Sequence, residues 1–257
     1  MKTAVLLVFL SLAVWPPIWN HAAFAADVVD VSVREKPVIL LDSGHNPPKG
    51  GAIGIRGIFE YEYNDRFTGD LAKALREASC HVELTRLPEQ TIQLHARAEL
   101  ANRMKPDLFL SVHHDSAQLI YLENFSLNGV SAYRTTQKIA GYSIFVSRDN
   151  AQFEQSLLFA RQLGKHLLQL GRKPSLHHAE KIEGENFELL DETLGIYRSS
   201  FVVLKNTEVP AVLLEVGVIV DDGDETYVSN PENRKRMIEA IVNAVRRTMA
   251  KITHRPS

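Results

Sequence analysis

Residues 38–64 read VILLDSGHNPPKGGAIGIRGIFEYEYN, and this stretch decides how the remainder is interpreted. Val38 to Leu41 is a short apolar run closed by polar and glycine residues, the pattern of a buried strand. A loop rich in Gly and Pro follows, carrying Asp42 and His45, and then two glutamates, Glu60 and Glu62. Beyond Asn64 the period becomes helical, with Phe67, Leu71 and Leu75 four residues apart. Glu60 lies seven residues before Phe67, about 700° and so nearly two full turns, which puts it on the apolar stripe. Glu62 falls roughly 140° away from Phe67 and is expected to face solvent. A histidine released from a buried strand and a carboxylate at the start of a helix can supply two ligands to one metal.

Working outward, His81–Thr85, Asp107–Val112, Gly141–Ser147, Phe201–Leu204 and Ala211–Leu214 are expected strands. The pattern predicts helices over 60–79, 94–104, 150–170 and 231–252. Strands alternating with helices imply an α/β fold: a single domain with an open, twisted, mostly parallel sheet of about six strands and helices on both faces. Residues 118–140 show no clear period, and 171–195 is polar and too long for an ordinary connector, which suggests a functional or mobile role. Asp27–Lys36 alternates weakly and reads as an edge strand or a tether.

The first 26 residues form a secretory signal: Lys2, an apolar core from Ala4 to Val14, and Ala23-Phe24-Ala25 before the cut. Residues 27–257 are then the mature domain, its core running from about 37 to 252. No later run approaches about 20 apolar residues, so no membrane span is expected after signal removal. With a formal net charge of −2, nothing here is basic enough to suggest a nucleic-acid partner. Cys80 is the single cysteine, so an exported chain must rely on its core rather than on an internal disulfide.

Three polar groups share one position in three strand–loop units: His45 after strand 38–41, His113 at the end of 107–112, and Glu215 at the end of 211–214. Ligands of open α/β sheets bind outside the carboxyl ends of the strands, so these groups can meet, with Glu60 joining them from its helix. Two imidazoles and one carboxylate are the protein ligands of a catalytic zinc that keeps one position for water. A further carboxylate, Glu215, can move the proton from that water to a leaving amine. His114 is expected to face away from His113, because successive strand residues point to opposite sides. His95, His166, His177 and His178 read as surface or loop residues, although the last two lie in the long polar segment and could cover the site. Asp42 either orients His45 or caps its strand, and Arg86 and Arg97 read as framework ion pairs.

The run His45–Gly54 followed by Gly57 and Glu60 resembles the opening motif of zinc-dependent N-acetylmuramoyl-L-alanine amidases, cell-wall hydrolases of the Amidase_3 family. The resemblance continues through LTR at 84–86, Leu94/Arg97/Ala101-Asn102, SVHHDSA at 111–117 and PAVLLEVG at 210–217. It implies Zn2+ held by His45, Glu60 and His113, with Glu215 as the catalytic glutamate. The implied reaction is hydrolysis of the amide between N-acetylmuramic acid and L-alanine of peptidoglycan. A secreted, periplasmic enzyme with a possible regulatory protein partner is the corresponding expectation. The rival expectations are a zinc peptidase or aminoacylase acting on another amide, and a non-catalytic peptidoglycan-binding protein. Some members of the family carry a blocking helix; Glu180, Glu183, Glu185 and Glu188 are the residues that would supply such a plug, against a solvated acidic loop.

Overall fold

The computed structural model describes residues 36–127, 129–182 and 185–253. The expected signal at 1–26 and nearly all of 27–36 lie outside those residues, as does Glu183. The chain enters through β1 (Val38–Ser43), α1 (Glu60–Glu77), β2 (His81–Leu84), α2 (Leu94–Met104) and β3 (Leu108–Asp115). A hairpin of β4 (Leu122–Leu127) and β5 (Val130–Thr135) leads to β6 (Ser143–Val146) and α3 (Phe153–Gln169). Then come β7 (Glu188–Asp191), β8 (Ile196–Arg198), α4 (Val202–Lys205), β9 (Ala211–Val218), α5 (Asp222–Ser229) and α6 (Pro231–Thr253).

Seven strands form the main sheet in the order β2-β1-β3-β9-β6-β8-β7. The first four run parallel, whereas β6 is antiparallel to β9 and β7 is antiparallel to β8. The apolar runs are continuous because the sheet is covered on both sides. Ile39, Leu41, Leu110 and Leu214 pack with Phe67 and Leu71 of α1, Phe159 of α3 and Val245 of α6. Their strand neighbours Leu40, Phe109 and Leu213 point the other way, onto Ala101 of α2 and Val203 and Leu204 of α4. The structure therefore has the α/β architecture the sequence implies, with seven strands rather than about six.

Three expectations need correction. Phe201–Leu204 is not a strand: Val202–Lys205 is a single helical turn packed on α2, a tertiary contact overriding the β propensity of FVVL. Segment 171–195 is not wholly irregular, for it contributes β7, an edge strand of the sheet, and the 192–195 connection to β8 beside it. Segment 118–140 holds the β4–β5 hairpin, a separate two-stranded sheet. Helix α5 was not anticipated, although Asp221 marks its start by accepting a hydrogen bond from Asp224 N (3.0 Å) ahead of an acidic first turn. None of the described helices is long and apolar enough to cross a membrane.

Candidate metal centre and active site

The parallel strands deliver the site. Gly44 N donates to Val112 O (2.9 Å), extending the β1–β3 pairing by one residue before the chain turns away. Gly44 has to be glycine, since a Cβ there would stand 2.4 Å from atoms of the His113 ring. His45 follows with φ 59°, a left-handed conformation uncommon outside glycine, and it is secured by its surroundings. Its carbonyl accepts from Arg97 Nη2 (2.7 Å) and Arg86 Nε (3.1 Å). Arg97 also donates to Asp42 (2.7 Å), which is fully buried and accepts from Thr85 and Ser111 as well. Arg86 pairs with Asp65 at 2.6 Å. Asp42 thus does not touch the His45 ring; it anchors the arginine that anchors the His45 backbone.

Glu60 opens α1, buried and turned inward as the helical arithmetic requires. Oε2 lies 3.1 Å from His45 Nε2, and Oε1 lies 3.1 Å from His113 Nδ1. Ala52 N donates to Oε2 (3.2 Å), while Asn64 Nδ2 (3.2 Å) and His114 N (3.3 Å) donate to Oε1. The two imidazoles meet edge to face, their centroids 5.0 Å apart. Burial alone would raise the Glu60 pKa, but the hydrogen bonds and charges of His113 and His45 outweigh it and hold the carboxyl well below its ordinary value. Donor atoms of His45, Glu60 and His113 all lie within 4.8 Å of one another, a two-nitrogen, one-oxygen set able to hold a divalent cation. The backbone leaves room for this cradle: Gly51, at φ 76°, is where a Cβ would come 2.3 Å from Glu60 Oε2 and 2.9 Å from His45 Cδ2.

Glu62 stays outside, accepting from Phe59 N at the helix start (3.3 Å). His114 points away from the centre, buried against Asn64 Oδ1 (2.8 Å), and burial pushes its pKa down to about 3, so it is a neutral structural imidazole. Glu215 sits opposite His113 in the β3–β9 register. It lines a cavity of about 640 Å³ together with His45, His113, Lys49, Leu94 and Phe201, while its Oε2 is sealed from solvent without a hydrogen-bond partner. Burial, followed by the nearby Asp115 and Glu60 charges, raises its pKa well above the ordinary carboxyl value.

The structure therefore brings His45, Glu60, His113 and Glu215 to one place. Residues 91–94 and 200–203 also reach the cavity, and nothing in their local pattern announced it. His177 and His178 are not surface residues: both are buried against Asp115. Burial lowers the His177 pKa; burial also opposes charge on His178, but Asp115 and Glu185 outweigh it and push that pKa up to about 10. Of the four glutamates that would supply a plug, the three described ones are engaged away from Glu60, with Glu180 on Tyr121, Glu185 on His178, and Glu188 on Arg148 and Arg198.

The family model for N-acetylmuramoyl-L-alanine amidase matches residues 39–247. The chain is 26% identical to N-acetylmuramoyl-L-alanine amidase AmiA of Escherichia coli K12 over 234 residues, covering 82% of this chain and 75% of AmiA. It is 25% identical over 249 residues to the probable cell wall amidase LytH of Staphylococcus epidermidis, covering 90% of this chain and 70% of that one. Among solved structures, the amidase Ami1 of Mycobacterium smegmatis superposes with a TM-score of 0.66 at 19% identity, over 84% of this chain and 97% of Ami1. The CwlD amidase of Clostridioides difficile, solved with the GerS lipoprotein, gives 0.62 at 17% identity, over 84% of this chain and 100% of CwlD. The structures show a shared fold, and the family match spans the strands and helix that carry all four site residues: the chain belongs to the N-acetylmuramoyl-L-alanine amidase family.

Proposed function

We propose that this protein is a zinc-dependent hydrolase cleaving the amide between the lactyl group of N-acetylmuramic acid and L-alanine in peptidoglycan. The observation that carries this reading is Glu60 bracketed at 3.1 Å by the imidazoles of His45 and His113, with Glu215 beside His113 on the neighbouring strand and both lining the cavity. His45, Glu60 and His113 are the residues that would hold zinc. Bound there, zinc supplies Lewis acidity and lowers the pKa of water towards about 7. Glu215 takes the proton from the attacking water and passes it to the departing nitrogen of L-alanine. A carboxyl whose pKa is raised by burial and neighbouring charge is suited to that exchange near neutral pH. Arg86 and Arg97 contribute by locking the His45 backbone, so the ligands meet without rearrangement.

We read residues 1–26 as an export signal and 27–257 as the catalytic domain, and infer from that reading an enzyme that meets its substrate outside the cytoplasm, in the periplasm. The solved CwlD–GerS pair supports looking for a regulatory protein partner here as well. Removing metal is the first test. Chelator-stripped protein is expected to lose release of stem peptide from purified peptidoglycan, and added Zn2+ to restore it. Undiminished release by the stripped protein would contradict the assignment.

Gly51→Ala gives a local test of the cradle. A left-handed backbone costs about 1–2 kcal/mol with a Cβ, and that Cβ would press on both Glu60 and His45. Disturbing ligand orientation typically costs 10–100-fold in metal affinity, and a loss in that range is expected by competition titration with far-UV circular dichroism unchanged. Wild-type affinity in Gly51→Ala would show that the cradle does not hold the metal.

A further inference from the structure

A second group of donors converges among the described residues, and the hydrolytic reading gives its two histidines no role. Asp115 lies two residues beyond His113, at the end of β3. His177 and His178 occupy a short 3-10 turn, His177–Ala179, in the segment that precedes β7. Asp115 Oδ2 is 2.7 Å from His178 Nε2 and 3.3 Å from His177 Nε2. Donor atoms of all three residues lie within 4.8 Å of one another.

A simple ion pair between Asp115 and His178 explains only half of this arrangement. His177 is 5% exposed, and its Nε2 points into the cluster with no hydrogen bond, its approach to Asp115 lying outside hydrogen-bond geometry. Its ring lies against that of His178 with centroids 3.9 Å apart. Two adjacent imidazoles buried on one carboxylate oxygen, one of them unsatisfied, is a costly arrangement for structure alone.

The outer ring nitrogens are held as metal-ligating histidines hold theirs. His177 Nδ1 is 2.7 Å from Ser175 Oγ, and His178 Nδ1 is 3.0 Å from Glu185 Oε2. A hydroxyl and a carboxylate on the outer nitrogens orient both Nε2 atoms inward, the pattern that fixes ring and tautomer around a bound ion. The turn is held from behind by Gln118 Nε2 on the His177 carbonyl (2.9 Å) and by Tyr121 on Glu180. Gln118 Oε1 is a further buried oxygen without a partner.

We propose that Asp115, His177 and His178 form a second divalent-cation site, of a two-histidine, one-carboxylate type suited to Zn2+ and neighbouring transition ions. The ion gives His177 Nε2 its missing partner. It ties the 171–195 segment to the end of β3, beside the first centre, and so acts as a structural clip. The assignment does not depend on the first centre being catalytic.

Zinc stoichiometry of the chelator-stripped chain, read by native mass spectrometry during a Zn2+ titration, tests it. The wild type is expected to take two ions, His177→Ala/His178→Ala one, and His45→Ala/His113→Ala one. If the first centre fails instead, the wild type takes one ion, which survives His45→Ala/His113→Ala and is lost in His177→Ala/His178→Ala. Equal zinc content in the wild type and His177→Ala/His178→Ala would overturn the proposal. Ser175→Ala and Glu185→Gln leave every ligand in place and guard against a double variant that fails to fold. Each is expected to weaken the second binding event 10–100-fold, and no weakening in either would equally overturn it.

Discussion

Glu215→Gln is expected to lower stem-peptide release by about 10²–10⁴-fold, the usual contribution of a positioned general acid–base group, while zinc content stays unchanged. The same substitution is expected to stabilise the metal-free protein at neutral pH. Glu215 titrates well above its ordinary value in the folded chain because it is buried and faces the Asp115 and Glu60 carboxylates. The unfolded chain then gives up this proton first, so folded-state stability is undiminished below about pH 4. It declines as pH rises from the unfolded value towards the folded one. Glutamine cannot ionise and escapes that penalty. Thermal melts of the stripped proteins should therefore show Glu215→Gln above wild type at pH 7 and level with it at pH 4. Coincident melts at both pH values, or release within threefold of wild type, would remove Glu215 from the role given to it.

Asp42→Ala should cause a large loss of stability. Asp42 is fully buried and accepts from Thr85 Oγ1 (2.6 Å), Arg97 Nη1 (2.7 Å) and Ser111 Oγ (2.7 Å). Truncating it strands the Arg97 guanidinium in a site with little water, and breaking a buried pair from one side costs about 3–5 kcal/mol. For this chain length, that is a Tm drop of at least about 6 °C. The damage should reach the metal centre as well, because Arg97 also holds the Ser43 and His45 carbonyls. Zinc affinity is expected to fall together with stability. Adding Arg97→Met should restore part of the stability, since the orphaned charge is then gone, while leaving zinc affinity low. A Tm within 2 °C of wild type for Asp42→Ala would show that the network is not what holds His45 in its left-handed conformation.

The central strands were legible because burial on both faces of a sheet writes itself as a continuous apolar run, and the face of α1 because its stripe repeats every four residues. Those two local patterns sufficed to place His45 just beyond β1 and Glu60 on the inward side of its helix; His113 and Glu215, expected where their strands end, lie within the carboxyl-terminal halves of β3 and β9, which run two and three residues further. The spacing of alternate strand residues likewise separated His113 from His114. What stayed hidden depends on partners distant in sequence. Strands β7 and β8 have four and three residues, too short to show a period. FVVL at 201–204 has the composition of a strand, yet becomes a helical turn because α2 supplies the surface it covers. The hairpin within 118–140 did carry a signal, the Asn-Gly pair at 128–129. The burial of His177 and His178 rests on Asp115, more than sixty residues away, and no local pattern encodes it.

Mass spectrometry of the products released from purified peptidoglycan tests the central claim most directly, because it identifies the bond broken. With zinc present, the account predicts intact stem peptides with a free L-alanine amino terminus, leaving glycan strands that keep their lactyl groups, and neither product from the chelated protein. Fragments cut within the stem peptide, new reducing sugar ends, or undiminished release under chelation would contradict it.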